Sequence, residues 1–164
     1  MASLSKEAVS AEMREVFGDD AKRIQHALDV LFFAEKILLT EPGDADVVIA
    51  SALLHDIGIH EAERKYNSAA GVYQQLEGPP IARKILQDLG SEPALISEVC
   101  EIIAHHHTPR AIETSSFKAL YDADTLVNLR DDFPHARRHE LEGKIERLFL
   151  TQTGRRLARE TLVK

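Results

Sequence analysis

Apolar residues recur along this chain at helical spacing, with no sustained two-residue alternation of the kind a half-buried strand shows. The β-branched run Val47-Val48-Ile49 lies inside a helical window. The pattern predicts a first helix from about Lys6 to Val16, stopping near Gly18, and a second from about Asp20 to Leu39. In the second, His26, Val30, Phe33 and Ile37 form an apolar stripe at i, i+4, i+7 and i+11 spacing, which turns His26 toward the core. Thr40-Glu41-Pro42-Gly43 reads as a turn, and Asp44 as the N-cap of a third helix reaching about Asp56, with Gly58 ending it.

A polar stretch, His60 to Asn67, follows the third helix. A short helix is expected over Ser68 to Gln75, and Gly78-Pro79-Pro80 opens another that ends near Leu89-Gly90. The next helix starts after Pro93 and carries Ile96, Val99, Ile102 and Ile103 up to His105-His106-His107. A loop through Thr108-Pro109-Arg110 leads to a helix from about Ser115 to Leu129. Beyond Pro134 come two further helices, about His135 to Leu150 and Thr153 to Leu162. The expected fold class is all-α, a helical bundle. Length and even composition predict a single domain over residues 1–164.

Composition narrows the function classes. The net charge of −7 argues against a nucleic acid polymer as partner, because such binding needs a basic field. The one cysteine, Cys100, lies in an apolar run and reads as a small buried hydrophobe. Met1 to Lys6 contains no apolar signal core, and no stretch is long enough to span a bilayer, so a soluble cytoplasmic protein without membrane contact is expected. Homo-oligomerisation is compatible with the sequence.

Six of the eight histidines fall between His26 and His107. One heads the string Leu53-Leu54-His55-Asp56-Ile57-Gly58, which sets an imidazole beside a carboxylate at the end of an apolar helix. His26, His55, Asp56, His105 to His107, Asp122 and Asp124 lie on four separate predicted helices, and a bundle core can bring such residues together. Imidazole and carboxylate together suit Mn, Fe, Co, Ni or Zn better than Ca. A cation would also explain carboxylates on core-facing positions.

The order of these residues resembles the HD superfamily of metal-dependent phosphohydrolases over roughly residues 20–130, leaving the helices of about 135–162 outside the motif-bearing core. Arg23-Ile24-Gln25-His26 is similar to that family's first ligand segment, and Leu53-Leu54-His55-Asp56-Ile57-Gly58 to its signature. Ile103-Ala104-His105-His106 is similar to its later histidine motif, and Ala123-Asp124-Thr125-Leu126 to its final Ala-Asp-x-Leu segment. The resemblance implies an HD-type bundle in which His26, His55, Asp56 and Asp124 hold one divalent transition metal. The implied activity is hydrolysis of a small anionic phosphate ester, a phosphomonoester or phosphodiester, with a nucleotide as the leading candidate.

Some family members hold a second metal, with Asp56 bridging and a further histidine opening a later helix. Here Glu77 stands at that histidine's place, so Glu77 is a candidate second-metal ligand with His106, and His107 is an alternative partner. Three residues after the doublet's aspartate, where several relatives carry Lys or Glu, this chain has Ile59. His60, Glu61 and Glu77 are therefore the candidate general acids or bases. Arg23 and Lys118 are the candidate phosphate contacts. Two other readings follow from the same residues: a di-iron oxygenase of the HD fold, and a non-catalytic module that binds metal or ligand.

Overall fold

Side-chain caps and left-handed residues set many of the helix boundaries. The computed structural model describes residues 4–163, and every regular element among them is a helix. These are α1 (Lys6–Phe17), α2 (Ala21–Leu38), α3 (Ala45–Leu54), α4 (Ile59–Tyr66), α5 (Gly71–Asp88), α6 (Pro93–His105), α7 (Ser115–Asp132), α8 (Arg138–Leu148) and α9 (Gln152–Leu162). Ser5, Asp20, Asp44, Thr114 and Thr151 each accept a backbone N–H at the start of a helix. Gly18, at φ 62°, closes α1. Residues 1–3, on which part of the signal-core reading rests, and residue 164 lie outside the described residues. No helix among the described residues is long and apolar enough to cross a membrane.

The centre of the bundle is α3. Val47, Val48, Ala50, Ser51, Ala52, Leu53 and Leu54 are all buried, because α1, α2, α6 and α7 surround the helix. Burial on every side accounts for its lack of an amphipathic stripe. One apolar cluster runs from Val9 on α1 through Phe117 and Leu126 on α7 to Ala158 on α9.

Three local expectations are corrected. First, the polar stretch after the doublet is helical: Ile59 and Ala62, three residues apart, are the two positions α4 buries, and Asn67 ends it in the left-handed region at φ 53°. Second, the two helices expected around Gly78-Pro79-Pro80 are one continuous α5 with both prolines inside it. Each proline deletes an intrahelical hydrogen bond. Packing holds the helix straight through: Gly78, Ala82, Ile85 and Leu86 are buried on one side of it, and α6 lies alongside.

Third, Gly58 does not end α3 through a left-handed turn. It sits at φ −83° and ψ −4°, directly before α4. What it provides is room, since a Cβ there would lie 2.5 Å from Gly78 N and 2.8 Å from Gln74 O. The backbone after the His-Asp doublet is thus pressed against the backbone of α5.

At the other end of the bundle, Asp122 ties α9 to α7. Its Oδ1 accepts from Leu150 N at 2.8 Å, and its Oδ2 accepts from Thr151 N at 2.9 Å and Thr151 Oγ1 at 2.6 Å. Gly154 leaves space for this carboxylate. Asp122→Ala is expected to lower the unfolding free energy by about 2–3 kcal/mol, read by chemical denaturation, because several charge-assisted hydrogen bonds lose their acceptor together.

Candidate metal centre

His26 comes from the second turn of α2, His55 and Asp56 from the turn that leaves α3, and Asp124 from the middle of α7. Contacts among α2, α3 and α7 bring these elements together. His26 Nε2 lies 3.2 Å from His55 Nε2 and 3.0 Å from Asp124 Oδ1. Asp56 Oδ2 is 3.3 Å from His26 Nε2 and 3.4 Å from His55 Nε2, and Asp124 Oδ1 is 3.3 Å from His55 Nε2. His55 is fully buried and Asp124 nearly so, while His26 and Asp56 keep a sliver of exposure.

Backbone carbonyls decide which ring nitrogens face this cluster. A carbonyl only accepts, so His55 Nδ1–H donates to Ala52 O at 2.9 Å, and His106 Nδ1–H donates to Ile103 O at 2.7 Å. The Nε2 atoms of both rings are turned to the carboxylates. His106 Nε2 is buried with no hydrogen-bond partner among the described residues and lies 3.4 Å from Asp56 Oδ1. Asp56 therefore faces His26 and His55 with one oxygen and His106 with the other.

The electrostatics are those of a tight cluster. Burial alone would depress the His55 imidazolium, but the carboxylates of Asp56 and Asp124 outweigh it and hold its pKa well above the usual histidine value. Burial acts against the charged forms of Asp56 and Asp124 as well. His55 with His106 for the first, and His55 with His26 for the second, turn the balance, and both acids sit below the usual carboxylate range.

The donor set fits a divalent transition metal. Ligand atoms about 2.1 Å from one ion stand about 3.0 Å apart in octahedral geometry and about 3.4 Å apart in tetrahedral geometry. The measured donor separations, 3.0 to 3.4 Å, span that interval. Two imidazole nitrogens with two carboxylates select the transition series over Ca. His26, His55 and Asp124 form one group able to hold an ion, and Asp56, His106 and His107 form an adjacent one.

The HD domain model matches residues 23–146, more than half of the chain. The chain belongs to the HD domain family. Its HD bundle is also similar to a solved structure from an uncultured Thermotogales bacterium, described as a predicted HD superfamily hydrolase. That likeness has a TM-score of 0.68 at 28% identity, over 94% of this chain and 83% of the other. No curated protein matches the chain.

Within this HD domain the remaining candidates fall in several places. Glu77 is not drawn into either group. Lys65 Nζ donates to its Oε1 at 2.7 Å and Tyr66 Oη to its Oε2 at 3.1 Å, so α4 takes the carboxylate that was the candidate second-metal ligand. His60 pairs with Asp20 at 2.8 Å and packs edge-on against Phe17, while Glu61 pairs with Arg64 and Lys65. Both α4 side chains are thus committed to partners outside the two groups.

Arg23 lies one turn before His26 on α2, partly buried, and makes no side-chain ion pair among the described residues. Lys118 is turned away from the centre. Six residues carry it about 240° around α7 from Asp124, onto the Asp122 side, where it lines a cleft with Glu41, Leu150 and Thr151 and pairs with Glu113.

Of the triple histidine, His105 is a surface residue and His106 is buried. His107 is an exposed residue beside His106, with ring centroids 4.0 Å apart, and crowding by the neighbouring protein followed by the charge of His106 pushes its pKa down. The sequence offered His107 only as an alternative to His106. The signal it lacked was the pairing of α5 with the end of α6, which brings Gly71 and Gln74 against the ring. His135 and His139 are exposed, as a solvated face requires.

Proposed function

We propose that this HD domain is a metal-dependent phosphohydrolase acting on a phosphomonoester or phosphodiester of a small molecule, with a nucleotide as the leading candidate. The observation that carries the reading is the donor spacing: four ligand atoms from His26, His55, Asp56 and Asp124, 3.0 to 3.4 Å apart in the contacts between them. The description of the similar Thermotogales structure as a predicted hydrolase supports it.

In this reading the same four residues hold one divalent ion, and Asp56, His106 and His107 offer a place for a second. When bound, such an ion supplies Lewis acidity that lowers the pKa of water and polarises a phosphoryl oxygen. The chain's own groups do the rest. The carbonyls of Ala52 and Ile103 fix the His55 and His106 rings, so that no reorientation is needed when substrate arrives. Arg23, without a side-chain ion pair among the described residues and one turn from His26, donates to a phosphate oxygen and offsets the repulsion between an anionic substrate and a chain of net charge −7.

The test is phosphate or alcohol release from a broad panel of phosphate esters, with protein loaded with Mn or Co. The reading expects release that depends on added metal. Stoichiometric metal with no release from any ester would overturn it and favour a binding module.

A pH dependence follows with a defined sign. The metal-free protein has the His55 pKa raised above 6.5, so the proton competes for Nε2 already at pH values above 6.5. Metal affinity is expected to fall as pH drops through that raised value, by about tenfold per pH unit for each proton displaced. The chelated protein should behave oppositely. The His55 imidazolium pairing is fully present below pH 6.5 and is lost as pH rises through the raised value, so apo stability declines there. Thermal melts across pH, with and without metal, check both slopes.

A further inference from the structure

Three cations of an otherwise acidic chain line one recess at the end of the bundle where α7 and α9 begin. Arg110 comes from the loop after α6, Lys118 from the first turn of α7 and Arg155 from the first turn of α9. The recess has a volume of about 90 Å³. It shares Lys118 and Leu150 with a wider cleft of about 410 Å³, which Ser115, Thr151 and Gln152 also line.

Arg155 is held in place within this wall. Its Nη2 donates to Phe149 O at 2.8 Å, and its buried Nε finds no acceptor among the described residues. Neither Arg155 nor Arg110 makes an ion pair among the described residues. Asp122, whose field reaches Arg155, spends both oxygens on Leu150 N and Thr151. Lys118 meets the largely exposed Glu113 carboxylate at 3.7 Å, a long surface pair that an incoming anion displaces at little cost. Glu41, the other acid of the cleft, lies 3.5 Å from Thr153 N. The backbone adds to the positive field. Ser115 and Gln152 open α7 and α9, whose first N–H groups have no partner within their own helices and form the positive ends of two dipoles.

We propose that this recess and its adjoining cleft bind a compact, multiply charged oxyanion of the phosphate class, away from the metal centre. A fixed guanidinium, a lysine point charge and helix N-termini together make a donor set that phosphate accepts from. The recess takes the phosphate group itself, and the wider cleft leaves room for the rest of a phosphorylated small molecule. None of the lining residues belongs to either candidate metal group, so the inference stands independently of the metal-centre reading. It also gives Lys118, which is turned away from that centre, a phosphate to contact.

The probe is inorganic phosphate, titrated at constant ionic strength into nitrogen-labelled protein, both Zn(II)-loaded and chelator-stripped, with arginine Nε–H and backbone amide signals followed by NMR. The Arg110 and Arg155 Nε–H signals and the Gln152 amide should shift together and saturate with one dissociation constant in both forms. Lys118→Gln and Arg110→Gln should each weaken that binding by about tenfold, as loss of a charged hydrogen-bond donor does. Glu113→Gln removes the competing carboxylate and should tighten it, an effect that misfolding cannot produce. AMP added to the stripped protein separates the two sources of the group. Tighter binding than phosphate, with a further shift at Ser115, identifies the phosphate end of a larger molecule, and equal affinity identifies free phosphate. Shifts that do not saturate, shifts confined to residues around His55 and Asp124, or an affinity unchanged in both Lys118→Gln and Arg110→Gln would overturn the proposal.

Discussion

Asp56→Ala is expected to abolish metal-dependent hydrolysis and to weaken metal binding by more than the about 100-fold that loss of an outer-shell partner costs a metal site. The reason is geometric. Asp56 Oδ2 faces His26 and His55 at 3.3 and 3.4 Å, and Oδ1 faces His106 at 3.4 Å, so one carboxylate serves both groups. Its removal also takes away a negative charge that holds the His55 proton in the metal-free state. The variant should therefore show a His55 pKa lower than wild type, measured by NMR titration after chelation, together with the loss of activity. Folding should survive the change, because the side chain sits at the mouth of the centre and the apolar packing of α3 ends at Leu54.

Gly58→Ala should give the largest change in stability, about 3 kcal/mol or more by denaturant unfolding, at the upper end of the usual cost of overpacking. The added methyl would run into the backbone of α5: Gly78 N at 2.5 Å, Gln74 O at 2.8 Å and Gly78 Cα at 2.8 Å. Backbone atoms cannot swing aside as a side-chain tip can, so α5 must retreat from the turn that carries His55 and Asp56. Gln74, Gly71 and the His107 ring lie along the same helix contact. Metal affinity should fall with stability in this variant. Gly143→Ala, inside α8 and meeting only the tip of Arg147 at 3.5 Å, should leave metal affinity unchanged and raise stability by up to about 1 kcal/mol through helix propensity, and serves as the control.

The helices that carry the candidate ligands were legible in the sequence because each placed a histidine or aspartate on a core-facing position within a recognisable motif. His26 lay in an apolar stripe, His55-Asp56 closed an apolar run, and Asp124 stood between Ala123 and Leu126. Less legible were features that depend on partners distant along the chain. The two prolines of α5 read as a helix start, since local propensity cannot show that Gly78 packs against Gly58 and Ile103. The role of Gly58 was misread for the same reason. Glu77 had the right position in a motif, yet its carboxylate goes to Lys65 and Tyr66 on a helix the polar pattern had hidden. Lys118 is a different case. Its six-residue offset from Asp124 already places it on another face of α7, toward Asp122, so helical angle alone accounts for its position.

The proposed metal centre is built from His26, His55, Asp56 and Asp124. Elemental analysis of protein purified without chelator, beside Asp124→Ala prepared identically, tests it most directly. At least one Mn, Fe, Co, Ni or Zn per wild-type chain, absent from a folded Asp124→Ala, is the predicted result. A folded wild type carrying none of these metals, and taking up none when they are supplied, would contradict it.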